Sequence, residues 1–213
     1  MNKYKCIIFD CDGVLVDSET ISTSVFLEMA KDLGVKMSLH EGFAEFKGKS
    51  LQACIDIIAE LSGKPIPETF EKEYRDKSFE AFKKDIKPIE GVPELLKKLS
   101  TPFCVASSGP ESKIRLNLEH TGLLPYFEDH IFSCYTIQKW KPDPGIFLWA
   151  AESMGFQPNE CVVIEDSLSG VLAARAGGFD VFGYTAHDYN NELGHVATRT
   201  FDNMASLLNM ILS

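Results

Sequence analysis

The sequence predicts an α/β fold: a Rossmann-like parallel sheet core flanked by helices, with an inserted helical cap domain. Three observations carry this. Four short apolar runs, 6–9, 103–106, 161–164 and 181–184, have the Val, Ile, Phe and Cys content of strands buried on both faces. Segments of helical length separate the last three, as in βα units that build a parallel sheet. The stretch from Ser18 to about Asp85 keeps helical spacing throughout and breaks that rhythm.

The first run, Cys6-Ile7-Ile8-Phe9, is a strand that stops at two aspartates. In the insert, Val25, Phe26, Met29 and Leu33 recur at helical spacing, as do Leu51, Cys54, Ile55 and Ile58. Gly34, Gly42, Gly48 and Gly63-Lys64-Pro65 punctuate it, and Pro88, Gly91 and Pro93 mark the return. The expected division is therefore a core of 1–16 with 87–213 and a helical domain of 17–86. In the core, helices are expected over 113–120, 146–154 and 168–176, and a closing helix over 204–212.

A chain of 213 residues suits one large domain, or a core carrying a smaller one, and its 45% hydrophobic share supplies a core. The net charge of −10 argues against nucleic acid, which requires a broad basic face. A small phosphorylated substrate requires only a few placed cations. No secretory leader is visible in Met1-Asn2-Lys3-Tyr4-Lys5, and no apolar run reaches the roughly 20 residues of a membrane span. The six cysteines form no CxxC pair and several lie inside apolar runs. They are expected as buried reduced thiols rather than disulfides or metal ligands, in a cytoplasmic compartment. A monomer is the default.

Open parallel sheets bind ligands beyond the carboxyl ends of their strands. Asp10 and Asp12 follow the first strand, Ser107, Ser108 and Gly109 the second, and Glu165 and Asp166 the third; Lys141 lies in the loop Lys139-Trp140-Lys141-Pro142-Asp143-Pro144. Four carboxylates at one rim repel each other unless a cation intervenes. Magnesium accepts such oxygen ligands and bridges carboxylates to phosphate. Lys141 and the Ser107 hydroxyl would meet the remaining phosphoryl oxygens, which outlines a phosphoryl-transfer site.

Phe9-Asp10-Cys11-Asp12-Gly13-Val14-Leu15-Val16-Asp17-Ser18-Glu19, with Ser107, Lys141-Pro142-Asp143-Pro144 and Glu165-Asp166-Ser167, resembles the four motifs of the haloacid dehalogenase-like hydrolase superfamily. The insert resembles the cap of its β-phosphoglucomutase and sugar-phosphatase branch. The resemblance implies that Asp10 is a nucleophile forming an aspartyl-phosphate and Asp12 a general acid and base. It implies Mg2+ held by Asp10, the Asp12 carbonyl and Asp166, with Glu165 as a ligand or behind the ligands; Mn2+ would substitute. Ser107, Ser108, Gly109 and Lys141 would bind the phosphoryl group. Phe46-Lys47-Gly48, Ser107-Ser108-Gly109-Pro110 and the 137–144 segment are similar to those of bacterial phosphatases acting on 6-phosphogluconate. A phosphorylated sugar or sugar acid is the implied substrate, with Lys47, Gly48 and Lys49 reaching it from the cap. Asp17 or Ser18 is expected to cap the first cap helix.

Other readings stay open. A sugar-phosphate mutase would share every core residue; members of that type carry a histidine soon after the first motif, where this chain has Ser22 or a close neighbour. A dehalogenase has no use for Asp12 or for a metal at Asp166. A phosphorylated regulatory module or a non-catalytic sugar-phosphate sensor has no need of so large an insert, or of both aspartates. Lys113 reads equally as positive charge near the phosphate or as a surface lysine, and Trp140 as a packing residue. His40, His120, His130, His187 and His195 lie outside the motifs.

Overall fold

The first apolar run becomes strand β1 (Cys6–Phe9), buried throughout. The computed structural model describes residues 3–46, 49, 51–188 and 190–212. After β1 come α1 (Ser18–Asp32), α2 (Leu39–Phe46), α3 (Leu51–Ser62) and α4 (Phe70–Asp85). The chain then runs α5 (Val92–Lys98), β2 (Phe103–Ser107), α6 (Glu111–His120), α7 (Leu124–Phe127), β3 (Ile131–Ser133) and α8 (Cys134–Ile137). It closes with α9 (Gly145–Ser153), β4 (Cys161–Glu165), α10 (Leu168–Ala176), β5 (Asp180–Tyr184), β6 (Arg199–Phe201) and α11 (Met204–Leu212). None of these helices is long and apolar enough to cross a membrane.

The expected α/β class holds: the six strands form one parallel sheet in the order β3-β2-β1-β4-β5-β6. Among the described residues, two more strands are present than the apolar runs predict. β3 and β6 are three residues each at the two edges, and Arg199 and Thr200 of β6 are exposed, so neither carries a buried-strand signature. The chain adds strands to one side of β1 and then, from β4, to the other. This reversal places a crevice at the carboxyl ends of β1, β2 and β4.

Residues two apart face the same side of a strand. Cys6, Ile8, Cys104, Ala106, Cys161 and Val163 form one face, under Ile146, Phe147 and Ala150 of α9 and Val171 and Ala174 of α10. On the opposite face Phe9 meets Phe103 and Phe127 edge-on, at centroid distances of 6.0 and 6.3 Å. The cysteines supply small volume where helices approach the sheet, and all six, each among the described residues, are buried free thiols. The Cys6 thiol is pushed up to about 12, first by its hydrogen bond with Cys104, with burial adding and Cys161 opposing. Such a thiol stays protonated and inert.

The chain divides into two compact units, Met1–Asp17 with Lys87–Ser213, and Ser18–Ile86. Where the first unit is interrupted, Val16 bridges Pro88 and the Asp17 N–H donates to the Lys87 carbonyl at 2.9 Å. The second unit is helical and has its own core of Phe26, Met29, Ala30, Val35, Phe46, Cys54, Ile55, Ile58 and Phe70. Phe26 organises it, meeting Phe46, Phe70 and Tyr74 edge-on at 5.0, 5.8 and 5.4 Å. Ser18 is the first residue of α1 itself, and its buried hydroxyl makes no hydrogen bond among the described residues, so it is not the expected side-chain cap.

Candidate active site

Asp10 follows β1 and continues its ladder by one bond, its N–H donating to the Ile164 carbonyl at 2.9 Å. The chain then turns tightly: the Leu15 and Val16 N–H groups return to the Cys11 carbonyl, and the Gly13 N–H donates to Val16. Val14, Leu15 and Val16 are fully buried and anchor the turn. Gly13 has φ +78°, and a Cβ there would lie 2.4 Å from Asp166 Oδ2. A side chain at Gly13 would force the Asp10–Asp12 turn away from Asp166.

At this turn, carboxylate oxygens of Asp10, Glu165 and Asp166 lie within 4.8 Å of one another, and all three residues are buried. Lys141, its side chain 5% exposed, donates to Asp10 Oδ1 at 2.6 Å and to Glu165 Oε2 at 2.7 Å. It also lies over the Phe147 ring, 4.9 Å from the centroid. Burial pushes the Asp10 carboxyl well above the usual carboxylate range; Lys141 opposes this, while Glu165 and Asp166 add to it. Burial alone would lower Lys141, but the carboxylates of Asp10 and Glu165 reverse this and raise it above an ordinary lysine. It is therefore a fixed positive charge.

Lys141 supplies one positive charge against three buried carboxylates. A hard divalent cation, which takes carboxylate oxygens and compensates their repulsion, fits this donor set.

Glu165 has both oxygens engaged. Besides Lys141 on Oε2, the Ser167 hydroxyl donates to Oε1 at 2.6 Å and the Ser167 N–H at 3.1 Å. The same Ser167 hydroxyl caps α10 by accepting from the Gly170 N–H at 3.1 Å. A Cβ on Gly170 would lie 2.0 Å from Glu165 Cδ. Gly170→Ala is expected to dislodge Glu165 and cost about 1–3 kcal/mol of stability, measured by thermal unfolding; an unchanged transition would show that Glu165 has room.

Ser107, buried at the end of β2, accepts from the Gly109 N–H at 3.1 Å, and the Ser133 hydroxyl donates to the Gly109 carbonyl at 2.7 Å. Ser108 lies 4.0 Å from the Cys134 sulfur. A Cβ on Gly109 would stand 3.6 Å from Ser107 Oγ and 3.8 Å from Asp12 Oδ2, so this loop borders Asp12. Lys113 on α6 donates to Asp12 Oδ1 and Oδ2 at 3.1 and 3.0 Å, and the Asn117 amide lies 3.5 Å from Oδ1. Burial and the adjacent Asp12 and Asp10 charges push the Cys11 thiol well up, so it is no nucleophile.

Asp10, Asp12, Ser107, Ser108, Gly109, Lys141, Glu165 and Asp166 all belong to this unit. Lys49 is an exposed residue of the helical unit, paired with Glu45 at 2.8 Å. Lys47 and Gly48 lie outside the described residues. Trp140 is 41% exposed and meets Tyr135 edge-on at 5.5 Å, so its packing is local to the lysine loop.

A family profile described as haloacid dehalogenase-like hydrolase matches residues 7–184. The chain belongs to the haloacid dehalogenase-like hydrolase family. It is 34% identical over 208 residues to the 6-phosphogluconate phosphatase of Escherichia coli K12, covering 97% of this chain and 94% of that one. Among solved structures it resembles a conserved haloacid dehalogenase-like protein of Agrobacterium tumefaciens C58, with a TM-score of 0.93, 32% identity and coverage of 98% and 97% of the two chains. A hydrolase of this family from Deinococcus radiodurans R1, determined with bound phosphate and sodium, matches with a TM-score of 0.87 and 28% identity over 97% and 94% of the two chains.

Proposed function

We propose that this chain is a magnesium-dependent phosphatase of phosphorylated sugars or sugar acids, with 6-phosphogluconate the favoured substrate, working in a reducing cytoplasm. The single observation that carries the chemistry is the buried Asp10–Lys141–Glu165–Asp166 cluster at the carboxyl ends of β1 and β4, with Asp12 two residues beyond the nucleophile position. The substrate preference is supported by the 34% identity to a 6-phosphogluconate phosphatase.

In this reading Asp10 attacks phosphorus through Oδ2, Lys141 holding Oδ1. The P–O bond to the sugar breaks, and Asp12 delivers a proton to the departing oxygen. Water then attacks the aspartyl-phosphate, Asp12 takes its proton, and the bond from phosphorus to Asp10 breaks to release inorganic phosphate. One hard displacement becomes two easier ones. Ser107 and the backbone of Ser108 and Gly109 bind phosphoryl oxygens, with Lys141 as counter-charge. Asp10, Asp166 and the Asp12 carbonyl would hold the magnesium ion, with Glu165 fixing Lys141 behind them. When bound, that ion stabilises the charge spread over the phosphoryl oxygens. Residues 17–86 serve as the cap, with Lys47, Gly48 and Lys49 meeting the sugar.

The test is phosphate release across phosphorylated sugars, sugar acids and polyols, with and without chelator, alongside β-glucose 1-phosphate isomerisation. Release that is lost on chelation and restored by magnesium is expected, with the sugar acid highest in kcat/KM. Isomerisation without release would replace the phosphatase by a mutase. Asp12→Asn is expected to lower kcat by about 10²–10⁴-fold; a near-parental rate would move the acid–base role elsewhere.

A further inference from the structure

We infer that Lys113, with Asn117 one turn further along α6, is a positioning residue for Asp12. The inference rests on the reading of Asp12 as acid and base. Lys113 engages both carboxylate oxygens of Asp12, at 3.0 and 3.1 Å, from a residue 101 positions away in sequence. The pair is partly shielded, with side chains 31% and 22% exposed, unlike a solvated helix pair such as Lys72–Asp76 at 80% and 65%. Asn117 presents its amide to the same oxygen at 3.5 Å. It is buried, and its Oδ1 has no hydrogen-bond partner among the described residues. A buried amide with an unsatisfied oxygen is costly, so stability of the helix does not account for Asn at this position.

The two residues stand four apart and thus share one face of α6. That face looks at the turn after β1, where Asp12, past the end of the strand, bridges Val16 and turns its carboxylate toward Lys113 and Asn117. A carboxylate that must give and recover a proton at a fixed point loses rate when it wanders by an ångström. Lys113 removes that freedom by gripping both oxygens, from a helix that begins directly after the Ser107–Gly109 loop.

A double-mutant cycle separates this role from the alternatives, using the whole chain with magnesium and a sugar phosphate that it hydrolyses. Lys113→Met is expected to lower kcat by about 10–100-fold, with KM within about threefold of the parent. In the Asp12→Asn background the same substitution is expected to change kcat by less than about twofold, because nothing remains to position. Lys113→Arg, which keeps the charge, should recover most of the loss, and melting curves of all variants exclude unfolding as the cause. An unchanged kcat in Lys113→Met overturns the inference. So does an equal loss in both backgrounds, or a KM increase of the same size in both, which would make Lys113 a substrate ligand. A parental rate in Asp12→Asn alone would instead remove the acid–base reading, a result obtained without touching Lys113.

Discussion

Asp10→Asn is expected to leave a folded protein whose turnover of every phosphate ester has fallen by on the order of 10⁴-fold or more, the scale seen when a covalent nucleophile is removed. The substitution keeps the shape of the side chain, and the amide oxygen still accepts from Lys141, whose second partner Glu165 is untouched. One of three mutually repelling buried carboxylates also becomes neutral. The melting temperature should therefore stay level or rise while chemistry stops, a combination that a merely destabilised variant does not produce. Acid-quenched parent enzyme, sampled during turnover, should carry a phosphoryl group on the peptide containing Asp10, and the variant none. A variant turning over within tenfold of the parent would remove Asp10 from the reaction.

Lys141→Met is expected to fail in both respects. Methionine fills a similar volume but leaves Asp10 and Glu165 buried without the cation that joins them at 2.6 and 2.7 Å. Breaking a buried ion pair from one side costs about 3–5 kcal/mol, which for a chain of this size lowers the melting temperature by about 6–20 °C. Turnover should fall with it, since Asp10 loses the contact that orients it. Adding Glu165→Gln should return part of the stability, because one orphaned charge is gone, but none of the activity. A Lys141→Met protein that melts with the parent would contradict the buried network.

Much of this arrangement is legible in the sequence because the four longer strands are buried on both faces. Cys6-Ile7-Ile8-Phe9 and Cys161-Val162-Val163-Ile164 have no polar interruption, and the residues that follow them must then be at the sheet's rim. β3 and β6 escape notice for the opposite reason. Each is three residues long at a sheet edge, and Arg199 and Thr200 point to water. At the site, residue type and spacing are enough to nominate Asp10, Asp12, Lys141 and Asp166, but they do not say who touches whom. Sequence leaves Glu165 and Asp166 equivalent; the structure adds that Lys141 and Ser167 each bond to a different oxygen of Glu165. Gly170 looks like a weak point in a helix until Glu165 is found filling the space of its missing side chain. Lys113 reads in sequence equally as charge near a phosphate or as a surface lysine; only the fold brings Asp12 in front of it and of Asn117.

The central place of β1 has a consequence for how the chain is made. Its partners β2 and β4 come much later in synthesis; Lys5, at its start, ends up bonded to Glu160, 155 positions on. At ribosomal rates of about 5–20 residues per second, roughly 10–30 s pass before that second neighbour exists. Until β2 is made, Cys6-Ile7-Ile8-Phe9 is a hydrophobic strand with two open edges, and until β4 follows it still has one, the kind of segment that recruits other chains. It is bracketed by Lys3 and Lys5 on one side and by Asp10 and Asp12 on the other. Those flanking charges discourage premature pairing, so the two aspartates guard the nascent strand before any site has formed around them.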